Sequence, residues 1–156
     1  MAETMKKRTN RKHWMLINPL RHAILGAAIT ETRVLDKLRI RELAAIEVMS
    51  KGNGTIVEWQ ELADMMNICE VMGSNGIGAE ALPYCQQAQE ALTEAARRFE
   101  STGRMGLSGL GLQALREVYE YHDLQRSSVP RCVYEQMIIK TRNRVRSKSK
   151  EVVEIK

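Results

Sequence analysis

The sequence predicts an all-α fold, a compact bundle of five to six helices with basic N- and C-terminal arms. Three observations lead there. Apolar residues recur at three- and four-residue spacing through almost every segment, and no segment alternates as a half-buried strand would. The breaks between these runs are short and fall on glycine, asparagine, serine and proline. The chain has 156 residues, 44% of them hydrophobic, which suits one domain and leaves little room for two. We place the helical domain at residues 15–146, with an N-terminal arm at 1–14 and a C-terminal tail at 147–156.

A short first helix is expected from Asn18-Pro19 to about Gly26, because asparagine caps well and proline suits the first helical position. A second follows Thr30 or Thr32 and ends near Lys51, where Gly52-Asn53-Gly54 tolerates a left-handed cap. Val34, Leu35, Leu38, Ala45, Ile46 and Met49 line one face of it. The third has the clearest start. Thr55-Ile56-Val57-Glu58 is a capping box, in which hydroxyl and carboxylate satisfy each other's backbone amides. It carries apolar residues all round, which assigns it the middle of the core. The fourth spans Ala79–Ser101, with Pro83 in its first turns. Gly103, Gly106, Gly109 and Gly111 then mark the connection expected to be most mobile. The fifth covers Leu110–Arg126. The last starts after Ser127-Ser128-Val129-Pro130 and runs into the basic tail, so that its final turns need not pack.

Charge is unevenly distributed. Residues 1–14 hold five basic residues against one acidic, and residues 140–156 hold seven against two. The centre holds 12 basic and 16 acidic residues, so the net charge of +5 comes from the two ends. Lys6, Lys7, Arg8, Arg11 and Lys12 at one end, and Arg142, Arg144, Arg146 and Lys148 at the other, are the candidate contacts to nucleic acid or another anionic partner. Guanidinium groups fork onto phosphates, and Trp14 either stacks on an unpaired base or anchors the arm to the core. No helix-turn-helix, zinc-finger or ribonucleoprotein motif accompanies them, so sequence-specific readout is not expected.

Other chemistry finds less support. Gly103–Gly111 lacks both the lysine and the preceding strand of a phosphate loop. His13, His22 and His122 are far apart, and no Glu-x-x-His pair occurs, so neither a metal nor another cofactor is expected. Cys69, Cys85 and Cys132 form no CxxC pair and no even-numbered framework. With no run of about 18 apolar residues and no secretory signal in view, a reduced, cytoplasmic protein without membrane contact is expected. Methionine is frequent at nine residues, and suits irregular core gaps or an adaptable surface.

Three polar residues interrupt apolar stripes: Glu42 on the second helix, Glu70 on the third and His122 on the fifth. A buried carboxylate needs a partner, so each glutamate is expected to meet His122 or a nearby arginine. An acid–base pair in a cleft is the functional alternative. No nucleophile or oxyanion donor accompanies them, and an enzyme is not expected.

Asn18-Pro19-Leu20-Arg21-His22-Ala23-Ile24, the run Leu38–Ile46, Phe99-Glu100-Ser101-Thr102-Gly103-Arg104-Met105-Gly106 and Tyr119–Arg126 resemble small all-helical accessory proteins encoded by phages and prophages of Gram-negative bacteria. The resemblance extends over well over half of the chain. It implies a mobile-element origin and anti-defence or host-takeover roles, including inhibition of a CRISPR effector, and it transfers no site residues. The expected function is therefore non-enzymatic binding of nucleic acid or a nucleoprotein machine, as monomer or homodimer. The alternatives are a protein–protein adaptor acting through the apolar third helix, and a small DNA-binding regulator.

Overall fold

The computed structural model describes residues 32–147. The first expected helix, Trp14, the N-terminal arm and Lys148 lie outside this range. Five α-helices occupy it: α1 (Thr32–Ser50), α2 (Ile56–Ser74), α3 (Leu82–Thr102), α4 (Gly109–Ser128) and α5 (Arg131–Ser147), with a 3-10 turn at Ala79–Ala81. Among the described residues there is no strand, only one isolated antiparallel bridge between Gly54 and Met105. The fold is an all-α bundle.

Each helix starts and stops where local chemistry dictates. At α2, the Thr55 side chain accepts from the Val57 amide while Glu58 accepts from the Thr55 amide at 2.7 Å, which closes the capping box. The Asn75 side chain donates to the Val71 carbonyl at 2.7 Å and finishes that helix. Pro83 sits in the first turn of α3, where its missing N–H costs nothing. Ser108 caps α4 by accepting from the Gly111 amide at 3.1 Å, and the Pro130 carbonyl receives the first amides of α5.

Helix α2 is the hub and packs against α1, α3, α4 and α5. Two apolar clusters result. The larger one joins α1 to α4 and includes Met49, Leu62, Met65, Cys69, Cys85 and Leu115, each 1% exposed or less. The smaller one collects Val71, Met72 and Ile77 at the end of α2 with Val129, Tyr134 and Met137 from the start of α5. Methionine fills both, with Met49, Met65, Met66, Met72, Met105 and Met137 all buried. Trp59 spans the α2–α3 contact and donates from its indole to the Leu92 carbonyl at 2.8 Å.

The glycine-rich connection departs from expectation. It is pinned at several points: the Gly54 amide donates to the Met105 carbonyl at 3.1 Å, and the Leu107 amide donates to the Met49 carbonyl at 3.3 Å. Arg98 donates to the Gly106 carbonyl at 3.0 Å. Met105 is 1% exposed, plugged beneath the crossing of this segment with the α1–α2 loop. Glycine serves close approach here: a Cβ on Gly106 would lie 2.9 Å from the Gly52 Cα. The end of α5 departs too, since Arg144 reaches Glu70 on α2 instead of projecting free.

At Gly111 the helices α3 and α4 touch so closely that a Cβ would stand 2.7 Å from the Ala91 Cβ. Gly111→Val should therefore wedge the two helices apart and destabilise the protein by about 1–3 kcal/mol, as overpacked cores do. A chemical-denaturation midpoint, with the slope unchanged, measures it.

Candidate functional site

Of the three polar residues of the stripes, Glu42 and His122 lie at the inner edge of α4, whereas Glu70 pairs elsewhere. Glu42 is 4% exposed and Arg126 fully buried. They meet as a two-pronged fork, Arg126 Nη1 donating to Glu42 Oε2 at 2.9 Å and Nη2 to Oε1 at 2.7 Å. Asp123, one turn before Arg126, accepts from Arg126 Nε at 3.1 Å and from Arg39 Nε at 2.9 Å. Arg39 also donates to Asp36 at 3.0 Å. Five charges thus form one chain across the α1–α4 seam, from solvent inward.

Burial sets their titration. It works against the charge on Arg126, yet the fork to Glu42 holds the guanidinium more firmly protonated than usual. Burial pushes the Glu42 carboxyl up, and the Arg126 fork only partly offsets this. Burial would lift Asp123 as well, but Arg39 and Arg126 pull it below the ordinary carboxylate range. Desolvation this complete offsets much of the pair's Coulombic gain, so the fork adds little net stability, although losing one partner is costly.

His122 is buried completely, but its partner is neither glutamate. The Gln125 amide nitrogen donates to the Cys69 carbonyl at 3.2 Å and to the Ile77 carbonyl at 2.8 Å. The Gln125 oxygen is therefore turned to His122 Nδ1, 3.1 Å away, and must accept from it. That assigns the proton to Nδ1 and leaves Nε2 a bare lone pair with no partner among the described residues. Burial, reinforced by the charge of Arg126, pushes the imidazole down to about 4. The ring stays neutral at pH 7. Its stabilising effect is complete above the free imidazole value of 6.5 and is lost as pH falls toward 4, a change on the order of 3 kcal/mol.

Glu70 sits at the margin of its stripe, its side chain 22% exposed, and takes Arg144 Nη2 as its partner. Arg126 is thus the partner of Glu42 and Arg144 that of Glu70; neither glutamate pairs with His122. Among the nucleic-acid candidates, Arg142 and Arg146 are exposed on α5 and make no ion pair within the described residues. Lys140 beside them donates to Asn75 at 3.0 Å. Lys6, Lys7, Arg8, Arg11, Lys12 and Lys148 lie outside the described residues.

Sequence reasoning missed Asp123, Arg126 and Gln125 as members of the polar core. The signal for Arg126 was its position, one helical turn beyond His122 on the same stripe. Cys69 and Cys85 also meet in the core, both 0% exposed. Contact between the thiols and their burial hold Cys69 well above the ordinary thiol value, so it is inert. Among the described residues no group of three or more histidine, cysteine, aspartate or glutamate side chains converges on a point that would hold a metal ion.

One open cleft of about 540 Å³ runs between α3 and α4, with Ala91, Gly111 and Ala114 on its floor. Glu90, Glu94 and Glu117 line it with Tyr84, Gln87 and Gln113, so its field repels anions. Most of the apolar surface of α2 is spent in the core, with Trp59, Leu62, Met65, Met66, Cys69, Val71 and Met72 all buried; Ile56, Ala63 and Ile68 are half-buried, and Val57, 70% exposed, faces out. No helix of the described residues is long and apolar enough to cross a membrane. Compared with models of protein families, with curated proteins and with solved structures, the chain matches none.

Glu42→Ala should destabilise by about 3–5 kcal/mol, because it strands the buried Arg126 charge. The double variant Glu42→Leu/Arg126→Met should recover most of that loss. Thermal unfolding of the two variants beside the parent checks both statements.

Proposed function

We propose that the protein is a non-enzymatic binder of nucleic acid or of a nucleoprotein complex, held through the basic ends of the chain. The observation that carries this reading is the pairing state of the arginines on α5. Arg144 is committed to Glu70, whereas Arg142 and Arg146, one helical turn apart, stay exposed and without an acidic partner in the described residues. Solvated guanidinium groups in this arrangement are suited to successive phosphates. Lys6, Lys7, Arg8, Arg11, Lys12 and Lys148 extend the same charge along the sequence. The acidic cleft between α3 and α4 would turn a polyanion away from that side, which orients the encounter.

The more specific version is an accessory product of a phage or mobile element that inhibits a bacterial defence complex, an anti-CRISPR-like role in the cytoplasm. Its support is the resemblance of Phe99–Gly106 and Tyr119–Arg126 to such proteins. The small DNA-binding regulator shares the phosphate contacts and differs in needing base readout, for which no motif is present. An adaptor docking through α2 is disfavoured by the burial of that helix's apolar residues.

Phosphate contacts make affinity fall linearly on a logarithmic scale with salt, about 0.9 for each phosphate neutralised on duplex DNA. The charge reversal Arg142→Glu/Arg146→Glu should therefore weaken binding to a DNA duplex of mixed sequence and flatten the salt slope by about 2. Fluorescence anisotropy across a salt series reads both. Affinity that ignores salt and survives deletion of residues 1–12 and 147–156 would overturn the reading.

A further inference from the structure

Helix α5 is attached differently from the other four. Tyr134 and Met137 anchor it in the smaller cluster, while Lys140–Asn75 and Arg144–Glu70 tie it to α2 at the edge. Tyr134 rests against the His122 ring, with centroids 6.1 Å apart and planes tilted by 40°. His122 therefore sits at the boundary between the cluster that joins α1 to α4 and the one that holds α5.

Its two nitrogens are not equivalent. Nδ1 is locked through Gln125 to the Cys69 carbonyl of α2 and the Ile77 carbonyl in the turn that follows it. Nε2 is buried and without a partner among the described residues, so a proton placed there would create a charged N–H with no acceptor. Arg126 stands on the same helix, one turn on, and repels that charge; Asp123 attracts it but is already shared by Arg39 and Arg126. Glu42 of α1 is likewise engaged by Arg126. From α2 the Cys69 carbonyl is taken by Gln125, and from α5 the Tyr134 ring faces the imidazole. Among the described residues no acceptor bonds Nε2, so water must answer a new positive charge there.

We propose that His122 is an acid-sensitive pin for α5, whose protonation at Nε2 opens the Tyr134 contact and releases α5 while α1–α4 remain packed. The opening occurs on this side because it breaks only the smaller cluster and two edge contacts. Opening on the opposite side would break the Gln125 bridges and the main core. The step takes up one proton from solvent at Nε2 and changes no covalent bond. It does not depend on what the basic residues of α5 bind.

Amide hydrogen exchange on the full chain, corrected for intrinsic exchange rates, tests this. An imidazole at 6.5 when open and about 4 when closed makes opening roughly 20-fold more frequent at pH 5 than at pH 7. The backbone amides of residues 131–147 should show that increase, and those of α3 should not. Glu70→Gln should keep the response, which separates His122 from the Arg144 ion pair. His122→Asn, which retains a donor toward Gln125, should abolish it. Should that variant not fold, the His122 Cε1 proton resonance of the parent protein decides: it must titrate in step with the loss of α5 protection. Equal opening of α3 and α5, an unchanged acid response in His122→Asn, or protonation of His122 with α5 still protected would each overturn the proposal.

Discussion

The Arg126–Glu42 fork is the constraint on which the arrangement of the bundle depends. A guanidinium buried completely has to be met by a carboxylate in one geometry, and the planar fork allows very little slide. Apolar contact alone is non-directional and does not by itself name one alignment of α1 on α4. Glu42 removes that freedom. Asp123 and Arg39 extend the same restriction outward to the surface, so that the seam is specified from its deepest point to its rim.

How much of this was legible in the sequence follows from the range of the interactions concerned. The capping box at Thr55–Glu58 and the proline-started α3 were readable because every participant lies within one turn. The core position of α2 was readable from apolar residues on all its sides. Glu42 announced itself by interrupting a stripe. Its partner did not, since Arg126 lies 84 residues away and stood at the expected end of a helix. His122 lies on the buried face, but a glutamine one turn on takes its Nδ1, and Nε2 is left without a partner among the described residues. The glycine-rich connection shows the opposite error. Its composition suggests freedom, whereas the burial of Met105 and the backbone bonds to residues 49 and 54 are tertiary facts that no local pattern contains.

The charge distribution takes on a different meaning once the helices are placed. The centre of the sequence is mildly acidic, and part of that acidity neutralises basic residues of α5: Glu70 takes Arg144, and within α5 Glu135 takes Arg131 at 2.9 Å. The charge left without an acidic partner at the end of α5 is that of Lys140, which meets only the Asn75 amide oxygen, and of Arg142 and Arg146. Carried on a docked helix, these groups meet phosphates with less backbone freedom to lose than the same charges on a free tail.

The crossing of the two loops beneath which Met105 is buried has a consequence for the chain's tolerance of change. It ties the turn after α1 to the segment before α4 by backbone bonds at Met105 and Leu107, so a change at that crossing pulls on a methionine in the core. Insertions and protease cleavage, which ordinarily concentrate in connections of this composition, are therefore disfavoured at the crossing itself, while Gly103 and Gly109 on either side have open space. Gly76, in the turn after α2, offers the same room: nothing lies within 4 Å of where its side chain would be.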